Sequence, residues 1–150
     1  KDLNFFNYSR VVSEPYFLAV NVNNPLSIQK NLTVNDLHNI DFIMYDAVVG
    51  RYSFELLSSL FLNSGVKPNF VQYVSQPSVF LGLVKASLGV ALLASSSRQN
   101  SPENVIFKEI KLPEWVRADV YLATKKEPKN KLIPEVYNCI MEALYKDQKI

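Results

Sequence analysis

The sequence predicts an α/β fold, a largely parallel sheet with helices on both faces. Two observations carry this. Short apolar runs alternate with helical stretches from Tyr16 to Leu93, and the runs are continuous instead of alternating polar and apolar. A strand that reads apolar throughout is one buried on both faces, and helical connections are what cover a parallel sheet. Composition agrees. Of 150 residues 48% are hydrophobic and 20% charged, which is globular and sufficient for a core without staples.

Tyr16 to Val22 is the first buried strand, broken by Asn23-Asn24-Pro25. Thr33 caps a short helix over Val34 to Asn39, accepting a backbone N–H. Asp41 to Tyr45 is a second strand. The loop Asp46 to Arg51 feeds a helix over Tyr52 to Asn63, with Phe54, Leu57 and Phe61 on one face. Gly65 is placed for a left-handed stop and Pro68 prevents resumption. Asn69 to Ser75 is a third strand. Pro77 and Ser78 open a second helix, with Val79, Leu83 and Ala86 on one face and Phe80, Val84 and Leu88 broadening it. Gly89 is expected to end that helix, and Val90 to Ala94 leaves as a fourth strand. Ser95 to Asn100 reads as a helical turn. Val105 to Ile110 and Arg117 to Thr124 are further strands, and Lys131 to Lys146 is a final helix with the stripe Leu132, Val136, Ile140 and Leu144.

In such sheets ligands bind beyond the carboxyl ends of the strands. The loops Asp46–Arg51 and Ser75–Ser78 both belong there, each delivering a helix N-terminus that favours an anionic group. Arg51 could grip a carboxylate in bidentate fashion or be neutralised by Asp46.

Other chemistry finds little support. Ser95-Ser96-Ser97 lacks a G-x-S-x-G setting, and the single histidine, His38, reads as a solvated helix-end residue. The single cysteine, Cys139, excludes an intrachain disulfide and reads as a small buried or half-buried residue. The four glycines match neither a P-loop nor G-x-G-x-x-G. Lys125-Lys126 and Lys129-Asn130-Lys131 read as a solvated turn, and a net charge of +2 indicates no phosphate-tracking surface. No cofactor, metal or catalytic residue is expected. No apolar run approaches the roughly 18–20 residues that span a bilayer.

Phe80 to Leu93 resembles the "lgLVaaGlGvallP" stretch of LysR-type transcriptional regulators, with Ser87 for the first glycine and Ala94 for the proline. Glu14 to Val20, Asn24-Pro25-Leu26, Thr33 to Leu37, Phe42 to Tyr45 and Gly65 to Pro68 resemble further landmarks of that family's effector-binding domain, in the same order. The resemblance implies a periplasmic-binding-protein-like (type 2) fold, with Rossmann-like lobes. Residues 16–110 would be a complete second lobe with hinge strands at both ends, near Ala19–Asn21 and Lys108–Ile110. Residues 1–15 and 111–150 would be part of the first lobe, with the missing half supplied by another chain or its exposed faces packed in a homodimer; failing both, that remnant should be poorly ordered.

It further implies a cytoplasmic bacterial sensor without enzymatic activity or membrane contact. DNA would be reached only through a helix-turn-helix absent from this chain. A small, anionic effector would bind in an interlobe cleft. Its expected contacts are Ala19, Asn21, Tyr45, Asp46, Val48, Val49, Gly50, Arg51, Ser75, Gln76 and Ile110, with backbone N–H groups of residues 48–51 on the anion and Val48 and Val49 setting apolar shape. A periplasmic-type solute-binding protein for transport is the alternative.

Overall fold

The computed structural model describes residues 5–126, 130 and 132–147. These fall into two compact units, one of residues 1–13 and 119–150, the other of residues 14–118.

The larger unit is built on a mixed sheet. Strand β1 (Phe6–Asn21) is followed by β2 (Leu32–Thr33), β3 (Asp41–Tyr45), helix α1 (Arg51–Ser64), β4 (Asn69–Val74), α2 (Pro77–Lys85), β5 (Ala91–Ala94), β6 (Val105–Lys108), β7 (Ile110–Lys111), β8 (Arg117–Lys125) and α3 (Ile133–Asp147). β3 pairs in parallel with β4, and a parallel bridge from Phe42 to Val90 joins β3 to the start of β5. β5 and β6 flank β1, both antiparallel to it. The sheet is therefore parallel only in its β4–β3–β5 half. The orientation of β1 is invisible to a reading of apolar runs, since a strand buried on both faces looks the same in either direction.

Alternate residues of each strand serve two cores. Leu18, Val20, Phe42, Met44 and Leu92 join Leu57, Leu60 and Phe61 of α1. Ala19, Ile43, Ala91 and Leu93 join Phe80, Leu81 and Val84 of α2. A helix on each face is why the strands read apolar throughout. Phe42 meets Phe61 edge-on, with ring centroids 5.2 Å apart.

Several boundaries differ from expectation. β1 begins at Phe6, well before Tyr16, because Phe6–Ser13 mixes polar and apolar residues while β8 supplies its ladder. The helix expected over Val34–Asn39 is one 3₁₀ turn, Val34–Leu37, and the Asp36 carboxylate accepts from both Thr33 N–H (2.7 Å) and Thr33 Oγ1 (2.8 Å). Val105–Ile110 divides at Glu109, β6 pairing with β1 and β7 with β2. On α2 the buried residues are Phe80, Leu81 and Val84, while Val79 and Leu88 are exposed.

The two long helices of this unit end alike. Gly65 takes φ 68°, with Gly65 N–H on the Leu62 carbonyl and Val66 N–H on the Phe61 carbonyl. Ser87 takes φ 60°, with Ser87 N–H on Val84 and Leu88 N–H on Leu83. Both are Schellman stops, so Ser87, not Gly89, ends α2. Gly89 matters for another reason. A Cβ there would stand 2.8 Å from the Asp41 carbonyl oxygen, so only glycine lets β5 approach β3 this closely.

In the smaller unit β8 pairs with β1, and α3 carries Val136, Ile140 and Leu144 of the expected stripe, while Leu132 lies just before its first residue. Cys139 is exposed on α3, not buried, because it lies beside the stripe and not within it. Lys129 and Lys131 of the basic cluster lie outside the described residues.

A candidate effector-binding rim

Parallel pairing sets Tyr45 beside Val74, so the chain leaves β3 and β4 at the same end of the sheet. Asp46 N–H donates to the Val74 carbonyl at 2.8 Å, fastening the two exits together. β5 exits at this end too, and antiparallel β1 enters here, with Tyr16 opposite Ala94. One rim thus gathers the Asp46–Gly50 loop, Ser75–Gln76, the Ser95–Asn100 3₁₀ turn and Glu14–Tyr16.

The Asp46–Gly50 loop is closed by its own first residue. Val48 N–H and Val49 N–H both donate to Asp46 Oδ1 at 2.9 Å, and Gly50 N–H donates to the Asp46 carbonyl at 3.0 Å. The bonds from Val49 and Val48 hold the Asp46 carboxyl below its ordinary range. These amides, expected to hold an anion, already hold one belonging to the chain. The same locking turns the side chains of Val48 and Val49 outward, 83% and 76% exposed.

Arg51 is neutralised by Glu55, one helical turn on, and not by Asp46. Its Nε lies 2.7 Å from Glu55 Oε1, and both side chains are largely exposed. That hydrogen bond and the carboxylate's charge raise the guanidinium's affinity for its proton further.

Behind the loop stands an aromatic floor. The Tyr45 ring packs on Phe80, with centroids 4.7 Å apart, and lies against Gly50, where a Cβ would come within 3.2 Å of Tyr45 Cβ. Burial, and then the neighbouring Tyr16, push the Tyr45 hydroxyl well above its ordinary value, so it stays protonated. Tyr16 and Ser53 share a hydrogen bond of 3.0 Å between their hydroxyls.

A second internal carboxylate sits at the far side of the rim. Glu14 accepts from Ser96 N–H at 2.8 Å and from Ser95 Oγ at 3.1 Å. Burial works to raise the Glu14 carboxyl, but these donors outweigh it and hold it below its ordinary value. In the sequence Ser95–Ser97 reads as a plain turn, and nothing marks Glu14 as its anchor. No local pattern links residues 81 positions apart, so nothing short of the strand pairing reveals the contact.

Ser75 and Gln76 are exposed at the start of α2, where the Gln76 side chain caps no amide and Pro77 has no N–H to offer. The structure brings Tyr45, Asp46, Val48, Val49, Gly50, Arg51, Ser75 and Gln76 to this rim. It does not bring Ala19, Asn21 or Ile110. Ala19 is fully buried among the α2-side core. Asn21 lies at the opposite end of the sheet, its Nδ2 donating to the Lys85 carbonyl at 2.8 Å and its Oδ1 accepting from Asn23 N–H at 3.0 Å. Ile110 pairs with Leu32 and packs on the α1-side core. Moving along β1 from Tyr16 to Asn21 leads away from the rim, so the residues of β1 at the rim are Glu14 and Tyr16.

His38 is exposed and accepts Lys67 N–H at Nδ1 (3.2 Å), a loop contact remote from the rim. Among the described residues no three His, Cys, Asp or Glu side chains cluster to hold a metal, and no helix is long and apolar enough to cross a membrane.

Comparison with known proteins gives this geometry its context. The chain is 26% identical over 104 residues to the Hca operon transcriptional activator HcaR of Escherichia coli (strain K12), covering 69% of this chain and 35% of HcaR. It is 28% identical over 138 residues to the HTH-type transcriptional regulator AlsR of Bacillus subtilis (strain 168), covering 85% of this chain and 43% of AlsR. The chain thus spans less than half the length of either relative. The BenM effector binding domain, solved with its effector benzoate, superimposes with a TM-score of 0.81 at 20% identity, over 97% of this chain and 66% of that one. This is the type 2 periplasmic-binding-protein-like fold. The model of the LysR substrate binding domain matches residues 4–144, and the chain belongs to that family.

Proposed function

We propose that this chain is the effector-sensing part of a transcription regulator, and that a small organic anion binds at the rim of the larger unit. The observation that carries the proposal is the meeting of the Asp46–Gly50 loop with Ser75–Gln76 at one sheet end, held by the Asp46-to-Val74 hydrogen bond. Ligand sites in α/β sheets lie at such ends. BenM, of the same fold, is solved with benzoate, a carboxylate.

The division of labour differs from a simple amide cradle. Asp46 fills the amides of Val48 and Val49, so those two residues offer their outward side chains to the apolar body of an effector. The effector's charge is met by Arg51, whose Glu55 partner is solvent-exposed and displaceable at small cost, and by the polar groups of Ser75, Gln76 and Ser78. Binding can switch transcription only if two arrangements of the protein differ in effector affinity. The whole regulator would act as a homodimer in the cytoplasm, meet DNA through a helix-turn-helix elsewhere in the polypeptide, and turn nothing over.

Calorimetric titration of the whole protein with benzoate and a panel of small carboxylates tests this. Saturable binding weakened by Arg51→Ala is the expected result. Binding indifferent to Arg51→Ala, and to Ser75→Ala with Gln76→Ala, would remove the rim from the site.

A further inference from the structure

Between α2 and the segment Ser95–Pro102 of the larger unit lies a groove of about 290 Å³. Ser78, Leu81, Gly82 and Lys85 line it from one face of α2, a row about 10 Å long. Ser97, Asn100 and Pro102 line it from the other side. Both walls are fixed before any ligand arrives. α2 is anchored by Phe80, Leu81 and Val84 in the core beneath it. The opposite segment is pinned along its length. Glu14 accepts from Ser95 and Ser96, and the Arg98 guanidinium lies 4.2 Å over the Phe17 ring while its Nη2 donates to the Phe107 carbonyl at 3.3 Å. Ser101 Oγ donates to the Val105 carbonyl at 2.8 Å. A concavity with walls held this way needs no reordering to take a ligand.

Gly82 is the floor. It sits inside α2, where glycine weakens a helix relative to alanine, and neither a positive φ nor a close neighbour requires it. A Cβ there would meet no atom within 4 Å, so what the glycine secures is the depth of the groove. The lining carries one charge, the Lys85 ammonium, and no acid. Among the described residues Lys85 makes no ion pair, and the side chains of Ser78, Ser97 and Asn100 make no hydrogen bond. Arg98, by contrast, is already engaged.

We propose that this groove is a second small-molecule site, for a short polyhydroxylated carboxylate. Lys85 meets the carboxylate, and Ser78, Ser97 and Asn100 meet the hydroxyls, over the apolar bed of Leu81 and Pro102. The rim, with the outward valines 48 and 49, suits an acid with an apolar body, so the two sites sort organic acids by their hydroxyls. The groove stands whether or not the rim binds benzoate, because no contact of Arg51 or of the Asp46–Gly50 loop enters it.

The test is an amide chemical-shift titration of the whole protein with gluconate and with hexanoate, two six-carbon carboxylates that differ in their hydroxyls. Gluconate should give saturable shifts at Gly82, Lys85, Ser97 and Asn100, with hexanoate about tenfold weaker or more at the same residues. Lys85→Ala should weaken gluconate about tenfold, and Gly82→Leu, which fills the floor, should abolish its shifts. Undisturbed amide signals of β3 and β5 show that each variant is folded. Arg51→Ala, which disables the rim, should leave the groove shifts in place. Three results would each overturn the proposal: no saturable groove shifts by about 10 mM gluconate, equal affinity for hexanoate, or groove shifts that survive in folded Gly82→Leu or vanish in Arg51→Ala.

Discussion

Two loops at the same sheet end occupy equivalent places in consecutive strand–loop–helix units, yet they are finished differently. The Asp46–Gly50 loop closes on itself, with the Asp46 carboxylate accepting from Val48 and Val49. Ser75–Gln76 enters α2 with no side-chain cap and a proline as the first helical residue. Topology brought both to the rim, but one side chain decides which still has unspent polar groups. Loop amides ahead of a helix are therefore only candidates for an anion, because a side chain of the same loop can fill them from within.

Phe80 should be the most damaging position for both loops together. It is fully buried, packs on Tyr45 and belongs to α2, so it lies under the two exits. Phe80→Ala should cost about 3–5 kcal/mol in chemical denaturation. A cost below about 1 kcal/mol would show that the loops do not share this floor. Gly89→Ala should act on the first loop's side alone, by driving a Cβ into the Asp41 carbonyl and prising β5 from β3. A loss of about 1–3 kcal/mol is expected, with amide exchange faster in β3 and β5 than in α2. Uniform exchange across both would break the distinction.

Asp46→Ala should leave global stability nearly unchanged and speed amide exchange at Val48 and Val49, with Ser75 and Gln76 unaffected. Acid sharpens the same contrast more gently. Asp46 and Glu14 are both held below their ordinary values, so their contributions are complete above the unfolded carboxylate range of about 4. They are lost only as pH falls through the lower folded values. The amide resonances of Val48, Val49 and Ser96 should titrate below that range while those of Ser75 and Gln76 stay still. Midpoints at or above the ordinary range would contradict the assigned donors.

Much of the fold is legible in the sequence. The continuous apolar runs of β3 and β5 announce helices on two faces, and Gly65 and Pro68 mark the end of α1. The direction of β1 is not legible, because burial on both faces erases the signal of orientation, and it is this direction that carries Ala19 and Asn21 away from the rim. Ser87 conceals a helix stop, since a serine in the left-handed region carries no sequence mark, and Gly89 two residues on draws that role to itself. The Asp46 lock does have a signal. An aspartate opening a loop often accepts the amides two and three residues ahead. The Glu14 contact has none, being made wholly by the pairing of β1 with β5.

The most direct measurement is an amide chemical-shift titration of the whole protein with benzoate. Shifts concentrated at Ser75, Gln76, Ser78 and residues 46–51, with Asn21, Lys85 and Ile110 silent, are what the rim requires. Saturable shifts confined to the opposite sheet end, with the rim unmoved, would contradict it.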